Sequence, residues 1–365
     1  MNLSNKVIYV VATGCRRSRE IPLFIKKLEK KGAKIYLFAT EECKKIVDFS
    51  NEDFKSINLR LNNNVQKTEE IEKEDLIIVT PCSFNTLNKI ANGISDSYPL
   101  TLVHTAIGRG TKVILSLSMN VNLWNNYNTS NSIKKLSDNN NLTIIWPEIK
   151  KNEQGEIITS MVSWDKIEDT IMANLHILPY EPICTSNCNT YNSEINELYN
   201  EMKLAGYSCK EIKICPNRAG CIAKKIENGV LISATGADVG NLTLEDMVLI
   251  TDRKENTIYY SGSKKPSTES IIAWELLKEK EVGTSFIHCH CRKITYSEKS
   301  NYFTTKDYFM SENEEQIEEV KSIINKYGYV NLKLHGQIFI DKCYEIILGK
   351  IVNKYCEINL ESEEV

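Results

Sequence analysis

Three of the five histidines in this 365-residue chain fall where apolar, strand-like sequence begins or ends. His288 and His290 stand two apart in the segment Phe286-Ile287-His288-Cys289-His290. On a strand, residues i and i+2 face the same side, so both imidazoles project together. His335 closes a second strand-like segment, and Gly336 behind it permits a close backbone approach. Three imidazoles with one open position are the ligand set of a catalytic divalent ion, most often zinc. An HxH pair also arises by chance, which leaves ordinary histidines open as a reading. Upstream, Ser267-Thr268-Glu269 precedes an apolar helical run. Free amides at a helix start suit an anion, and Glu269 falls in the first turn; the same three residues also read as a plain helix cap. Thr235-Gly236 is a turn that exposes a hydroxyl and backbone amides. In the first half, Thr13-Gly14-Cys15 lies between a strand and a helix, as a phosphate-binding turn or an ordinary βα turn would. His104 and His176 lie outside every motif.

These residues need elements to carry them. Residues 7–11, 34–39, 75–80 and 113–117 are short continuous apolar strands, separated by helical stretches at 21–30, 41–47 and 87–92, with a last helix at 167–175. Such alternation reads as a doubly wound parallel sheet. Residues 137–141 and 150–156 read as surface loops, and 176–193 carries no periodicity and suits a linker. The second half opens with a helix at 194–205 and continues with strands at 229–233, 247–251, 258–261, 285–290 and 332–340, the last leading to 343–348. Helices at 267–280 and 314–327 interrupt them, so this half is α/β with a mainly antiparallel sheet. The expected domains are 1–178, a linker at 179–192, 193–355, and an acidic tail at 356–365.

Composition narrows the function classes. At about 100–200 residues per domain the length fits two domains. Lys and Arg number 45 against 48 Asp and Glu, and the Trp and Tyr residues do not interleave with basic ones. Bulk phosphate attraction is therefore not the theme, and no nucleic-acid partner is expected. No run of about 18 apolar residues occurs, so no membrane partner is expected either. The N-terminus enters its first strand without a small-residue cleavage site, which makes cytoplasmic location the expectation. The twelve cysteines then read as mainly buried thiols. A structural metal site among Cys184, Cys188, Cys209, Cys215 and Cys221 stands as the alternative.

Taken in order, ISATGADVGNLTLEDMVLI, GSKKPSTES, FIHCH and LKLHG resemble the class II aldolase/adducin-head family over residues 190–352. The resemblance implies zinc on His288, His290 and His335, and Glu269 as the acid/base group. It implies substrate contacts, to phosphate in that family, at Thr235, Gly236, Ser267 and Thr268. The family's Gly-Asn-(Ile/Val)-Ser segment stands here as Gly220-Cys221-Ile222-Ala223, without the Asn. Zinc would act as a Lewis acid on a hydroxy-carbonyl substrate and stabilise an enediolate, while Glu269 moves the proton.

The first half carries another resemblance, over residues 5–175. Pro81-Cys82-Ser83-Phe84-Asn85-Thr86, and Leu117-Ser118-Met119-Asn120 followed by Leu123-Trp124, resemble motifs of the flavoproteins that include phosphopantothenoylcysteine decarboxylase and the lantibiotic cysteine decarboxylases. This implies a flavodoxin-like three-layer domain with FMN contacts at Gly14, Cys15, Thr40, Ser83, Asn85 and Met119. The position of that family's catalytic His is Lys67 here, and residues 148–163 contain no Cys for its flap thiol. The combined expectation is a zinc-dependent aldolase- or epimerase-like lyase for a small hydroxy-carbonyl, sugar-phosphate-like molecule, fused to a flavin-binding domain. It would assemble as a homo-oligomer, trimer or tetramer. The alternatives are an FMN-dependent decarboxylase and a non-catalytic assembly protein with degenerate domains.

Overall fold

The apolar runs of the first half become buried strands of one parallel sheet. The computed structural model describes residues 3–60, 71–137, 139, 141–186, 193–215, 220–278, 283–295, 303–308, 314–333 and 335–359. The chain divides into two units, Met1–Ile177 and Leu178–Val365.

In the first unit, β1 (Val7–Ala12) leads through α1 (Ile21–Lys30) to β2 (Lys34–Ala39), and α2 (Glu41–Lys44) precedes the short β3 (Asn58–Arg60). β4 (Leu76–Cys82) is followed by α3 (Phe84–Ala91) and α4 (Tyr98–Arg109), then β5 (Lys112–Leu117), α5 (Val121–Trp124), α6 (Tyr127–Ser137) and β6 (Leu142–Ile145). β7 (Glu148–Lys151) and β8 (Ile157–Ser160) pair as a separate antiparallel hairpin, and α7 (Trp164–Asn174) ends the unit. Every residue of β1 and β4 is buried, as strands covered on both faces must be. α1 takes Pro22 in its first turn and buries Ile21, Phe24, Ile25 and Leu28, the spacing of one helix face. Phe24 stacks on Trp164 of α7 at 4.6 Å between ring centroids.

The sheet order is β3-β2-β1-β4-β5-β6, with every pair parallel. Without the three-residue edge strand β3, the long strands run second, first, third, fourth, fifth, the flavodoxin-like order. The winding reverses between β1 and β4, and ligands of open α/β sheets bind outside the carboxyl ends of the strands at such a point.

The second unit begins with β9 (Glu181–Ser186) and α8 (Ser193–Glu211). β10 (Cys221–Ile226), β11 (Gly229–Ser233), β12 (Met247–Lys254) and β13 (Thr257–Ser261) form a meander, and α9 (Ser270–Lys278) leads to β14 (Ser285–Cys289). α10 (Arg292–Thr295), β15 (Thr304–Tyr308), α11 (Glu314–Tyr327), β16 (Tyr329–Lys333), β17 (Gly336–Asp341) and α12 (Tyr344–Asn359) complete it. The nine strands follow the order β15-β16-β17-β14-β10-β11-β12-β13-β9. Pairing is antiparallel from β16 to β13, and the edge strands β15 and β9 pair in parallel. Phe286, Ile287, Ile338 and Phe339 from the paired strands β14 and β17 are fully buried. Burial of each such side chain stabilises by about 1.5–3 kcal/mol.

Several boundaries depart from the sequence expectation. Residues 332–340 are not one strand but the two arms of the β16–β17 hairpin, with His335 in the turn. Residues 344–348 open α12 rather than a strand, since Tyr344, Ile347 and Ile351 recur at helical spacing and are buried. The segment expected as a linker contains β9, which pairs with β13. The expected tail begins inside α12, and residues 360–365 lie outside the described residues. Residues 150–156, expected as a loop, are shared between the hairpin β7–β8 and its turn.

Candidate functional site

In the second unit, β14 carries His288 at its fourth position and ends at Cys289, so His290 lies just beyond it. The β16–β17 turn brings His335 to the same point. The ligand nitrogens of the three histidines all lie within 4.8 Å of one another. His288 Nε2 and His290 Nε2 are 3.0 Å apart, close to the separation of about 3.3 Å that two tetrahedral Zn–N bonds of about 2.0–2.1 Å require. The other ring nitrogens of His288 and His290 are committed elsewhere. His288 Nδ1 donates to the Gln337 carbonyl at 3.0 Å, and His290 Nδ1 donates to the His335 carbonyl at 2.7 Å. Each Nε2 of a neutral ring therefore presents a lone pair, and two lone pairs at this distance repel unless a cation or proton lies between them. Full burial pushes the His288 pKa down to about 4, which keeps that ring neutral, as a ligand must be. The donor set fits zinc.

Glu269 faces this cluster. Its Oε1 is 3.9 Å from both His288 Nε2 and His335 Nε2. Its Oε2 accepts hydrogen bonds from Ser267 Oγ at 2.7 Å and Thr268 Oγ1 at 2.8 Å. α9 begins only at Ser270, so residues 267–269 form the turn ahead of the helix instead of its first turn. The two hydroxyls serve the carboxylate, although Ser267 Oγ also accepts a long bond of 3.4 Å from Glu269 N, part of the expected cap. Thr235 and Gly236 are half-buried beside this turn. Thr235 N donates to the Lys265 carbonyl at 3.0 Å, and Ala234 and Pro266 form an isolated β-bridge.

Two glycines allow this closeness. A Cβ at Gly336 would lie 2.4 Å from the Cys289 carbonyl oxygen and 3.1 Å from His288 Cε1. A Cβ at Gly220 would lie 2.5 Å from the His288 carbonyl oxygen. Sequence reasoning passed over two residues of this site. Tyr180, buried and in the segment expected as a linker, donates to the Ser267 carbonyl at 2.6 Å, with the Pro266 carbonyl 3.1 Å away. Gln337, fully buried, lies beneath the histidines. A polar residue inside an apolar strand sequence was the available signal for Gln337.

In the first unit the expected flavin-contacting positions meet at the carboxyl edge of the sheet. Thr13, buried after β1, donates through Oγ1 to the Pro81 carbonyl at 2.7 Å and accepts from Ser83 N at 3.0 Å, which joins the β1 and β4 turns. Cys15 Sγ donates to the Ser118 carbonyl at 3.4 Å and so reaches the turn of Met119. Burial raises the Cys15 pKa. Thr40 N donates to the Ala12 carbonyl at 3.0 Å, bringing in the β2 turn. Thr40 and Ser83 cap α2 and α3 through their hydroxyls. Gly14 packs against Glu42, Met119 is half-buried and Asn85 is exposed. A ring of helix starts at a sheet switch point fits an anionic mononucleotide. Lys67 lies outside the described residues. Among the described residues the histidine trio is the one group placed to hold a metal; Cys188 of the cysteine alternative lies outside the described residues.

Comparison with known proteins bears on the first half. The Flavoprotein family model matches residues 1–176, so the N-terminal half is a domain of that family. A putative phosphopantothenoylcysteine decarboxylase of Dictyostelium discoideum is 37% identical over 101 residues, covering 27% of this chain and 51% of that protein. Epidermin decarboxylase of Staphylococcus epidermidis is 34% identical over 82 residues, covering 22% and 43%. The chain thus spans about half or less of the length of the curated relatives it matches. Among solved structures, an L-fuculose-1-phosphate aldolase from Thermus thermophilus is similar at 15% identity and a TM-score of 0.37, covering 46% of this chain and 94% of that one. No helix among the described residues is long and apolar enough to cross a membrane.

Proposed function

We propose that the second unit is a zinc-dependent lyase or epimerase acting on a small hydroxy-carbonyl compound. The observation that carries this reading is the convergence of the His288, His290 and His335 nitrogens, with Glu269 Oε1 3.9 Å from two of them. Zinc held by the three histidines supplies a Lewis acid for the substrate's oxygens. Glu269 accepts or delivers the proton at Oε1, because Oε2 is occupied by the Ser267 and Thr268 hydroxyls. The Thr235-Gly236 turn offers the Thr235 hydroxyl and the Gly236 amide to the substrate's polar end, the Thr235 amide being held by the Lys265 carbonyl.

For the first unit the reading is FMN at the carboxyl edge of the sheet, with Gly14, Cys15, Thr40, Ser83, Asn85 and Met119 around it. Membership of the Flavoprotein family supports this. FMN-dependent decarboxylation is the second reading, favoured by the names of the two decarboxylase relatives. Lys67 at the expected histidine position and the lack of a cysteine in residues 148–163 weigh against it.

Metal content and visible absorbance, taken on one purified sample, test both halves together. About one zinc per chain with a yellow flavin spectrum supports both readings. Zinc that persists undiminished in His288→Ala overturns the ligand assignment, and a colourless protein that takes up no added FMN overturns the flavin assignment.

A further inference from the structure

We propose that Gln337 is a positioning residue for the histidine centre, acting through its side chain on His290; this rests on the metal reading above. The β14–β17 ladder ends at the pair Cys289–Gln337. Past that pair, His290 N donates to the Ile214 carbonyl at 3.1 Å, so the register with β17 ends where a candidate ligand must be held. The Gln337 side chain takes over there. Its Oε1 accepts from Cys291 N at 2.9 Å, with the Cys289 thiol donating to the same oxygen from 3.6 Å. Its Nε2 donates to Asn331 Oδ1 at 2.8 Å and Thr295 Oγ1 at 2.7 Å.

The network admits one orientation of the amide. Cys291 N is a donor and faces oxygen, while Thr295 Oγ1 gives its own proton to the Cys291 carbonyl at 3.0 Å and so accepts from nitrogen. The side chain therefore ties together β16, α10 and the chain leaving the His-Cys-His segment. Its backbone carbonyl meanwhile fixes the His288 ring through Nδ1. Residues 335–337 thus supply one candidate ligand, both carbonyls that orient the other two rings, and the clamp on the strand end between them. Groups that orient metal ligands in this way change metal affinity by about 10–100-fold when removed.

The test is a competition titration of the full-length, metal-stripped chain with Zn2+ and a chromophoric chelator, repeated with Co2+ to read the visible bands of the bound ion. Gln337→Leu keeps the volume and removes the clamp; zinc binding should weaken about 10–100-fold and the cobalt bands should shift. Asn331→Ala, which removes one acceptor of Gln337 Nε2, should weaken zinc binding by a smaller factor and serves as the deciding variant if Gln337→Leu does not fold. A purely structural role would lower the melting temperature of the metal-free protein and leave both affinity and cobalt bands at wild-type values; that result overturns the proposal. If the wild type itself binds no zinc, the metal reading fails and the proposal falls with it, an outcome distinct from wild-type binding that Gln337→Leu leaves untouched.

Discussion

The His335 carbonyl accepts the Nδ1 hydrogen of His290 at 2.7 Å, so one residue offers a ring nitrogen to the centre and orients a neighbouring ring through its backbone. The two contributions are coupled. A side-chain substitution at His335 removes the first and keeps the second, whereas a backbone shift in the turn disturbs both.

Glu269→Gln should separate metal binding from proton transfer. The three histidines are the assigned ligands and the carboxylate lies 3.9 Å from two of their ring nitrogens, so the variant should still bind zinc through those three. Deuterium exchange from solvent into dihydroxyacetone or a related hydroxy-carbonyl compound, followed by NMR, should slow about 10²–10⁴-fold. Exchange at the wild-type rate would remove Glu269 from its role.

Gly336→Ala should damage fold and site together. The new methyl would meet the Cys289 carbonyl oxygen at 2.4 Å, a backbone atom that cannot swing aside. A loss of about 1–3 kcal/mol in urea unfolding is expected, the range for overpacking, along with weaker zinc binding. An alanine variant with wild-type stability and affinity would show that the turn has slack.

Lys166 gives the first unit a pH dependence of definite sign. Burial lowers its pKa from 10.5 to about 7, with Asp169 opposing the shift. Between these values the unfolded chain holds the proton and the folded chain does not. Stability is therefore greatest above the unfolded pKa and falls as pH drops toward the folded one, with a slope of up to about 1.4 kcal/mol per pH unit. Urea midpoints recorded from pH 7 to 10 should rise with pH, and Lys166→Met should flatten the slope. A wild-type curve without a rise would mean that the ammonium is solvated.

Ser83→Ala removes the hydroxyl that caps α3 at Thr86 N. A missing cap costs about 1 kcal/mol, and under the FMN reading the variant should also retain less flavin through gel filtration, read at the flavin absorbance. Loss of stability with full flavin retention would confine Ser83 to capping.

Much of this was legible in the sequence because the signals were local. β2 and β11 begin and end where apolar runs meet turn residues, and α11 follows its helical periodicity over Glu314–Tyr327. The His288–His290 pair was readable from the two-residue period of a strand, and the Ser267–Glu269 contact lies within one turn. The relationships that were not legible are those between distant segments. Nothing near Gln337 announces that its amide meets Cys291, 46 positions away, or that Tyr180 reaches Ser267, 87 positions away. The hairpin at His335 was also missed, because Leu332 and Ile338 flank a turn marked by a single glycine that reads equally well as strand interior.

The turn between β16 and β17 has a structural corollary. With a ring nitrogen, two orienting carbonyls and a clamping amide all within three consecutive residues, a single backbone change in that turn reaches all of these contacts at once. A one-residue slip in that turn would send His335 to the opposite face of the sheet and withdraw the supports of His288 and His290 in the same event. Such a slip would also turn the buried side chains of Ile338 and Phe339, so in this hairpin the architecture and the chemistry stand or fall together.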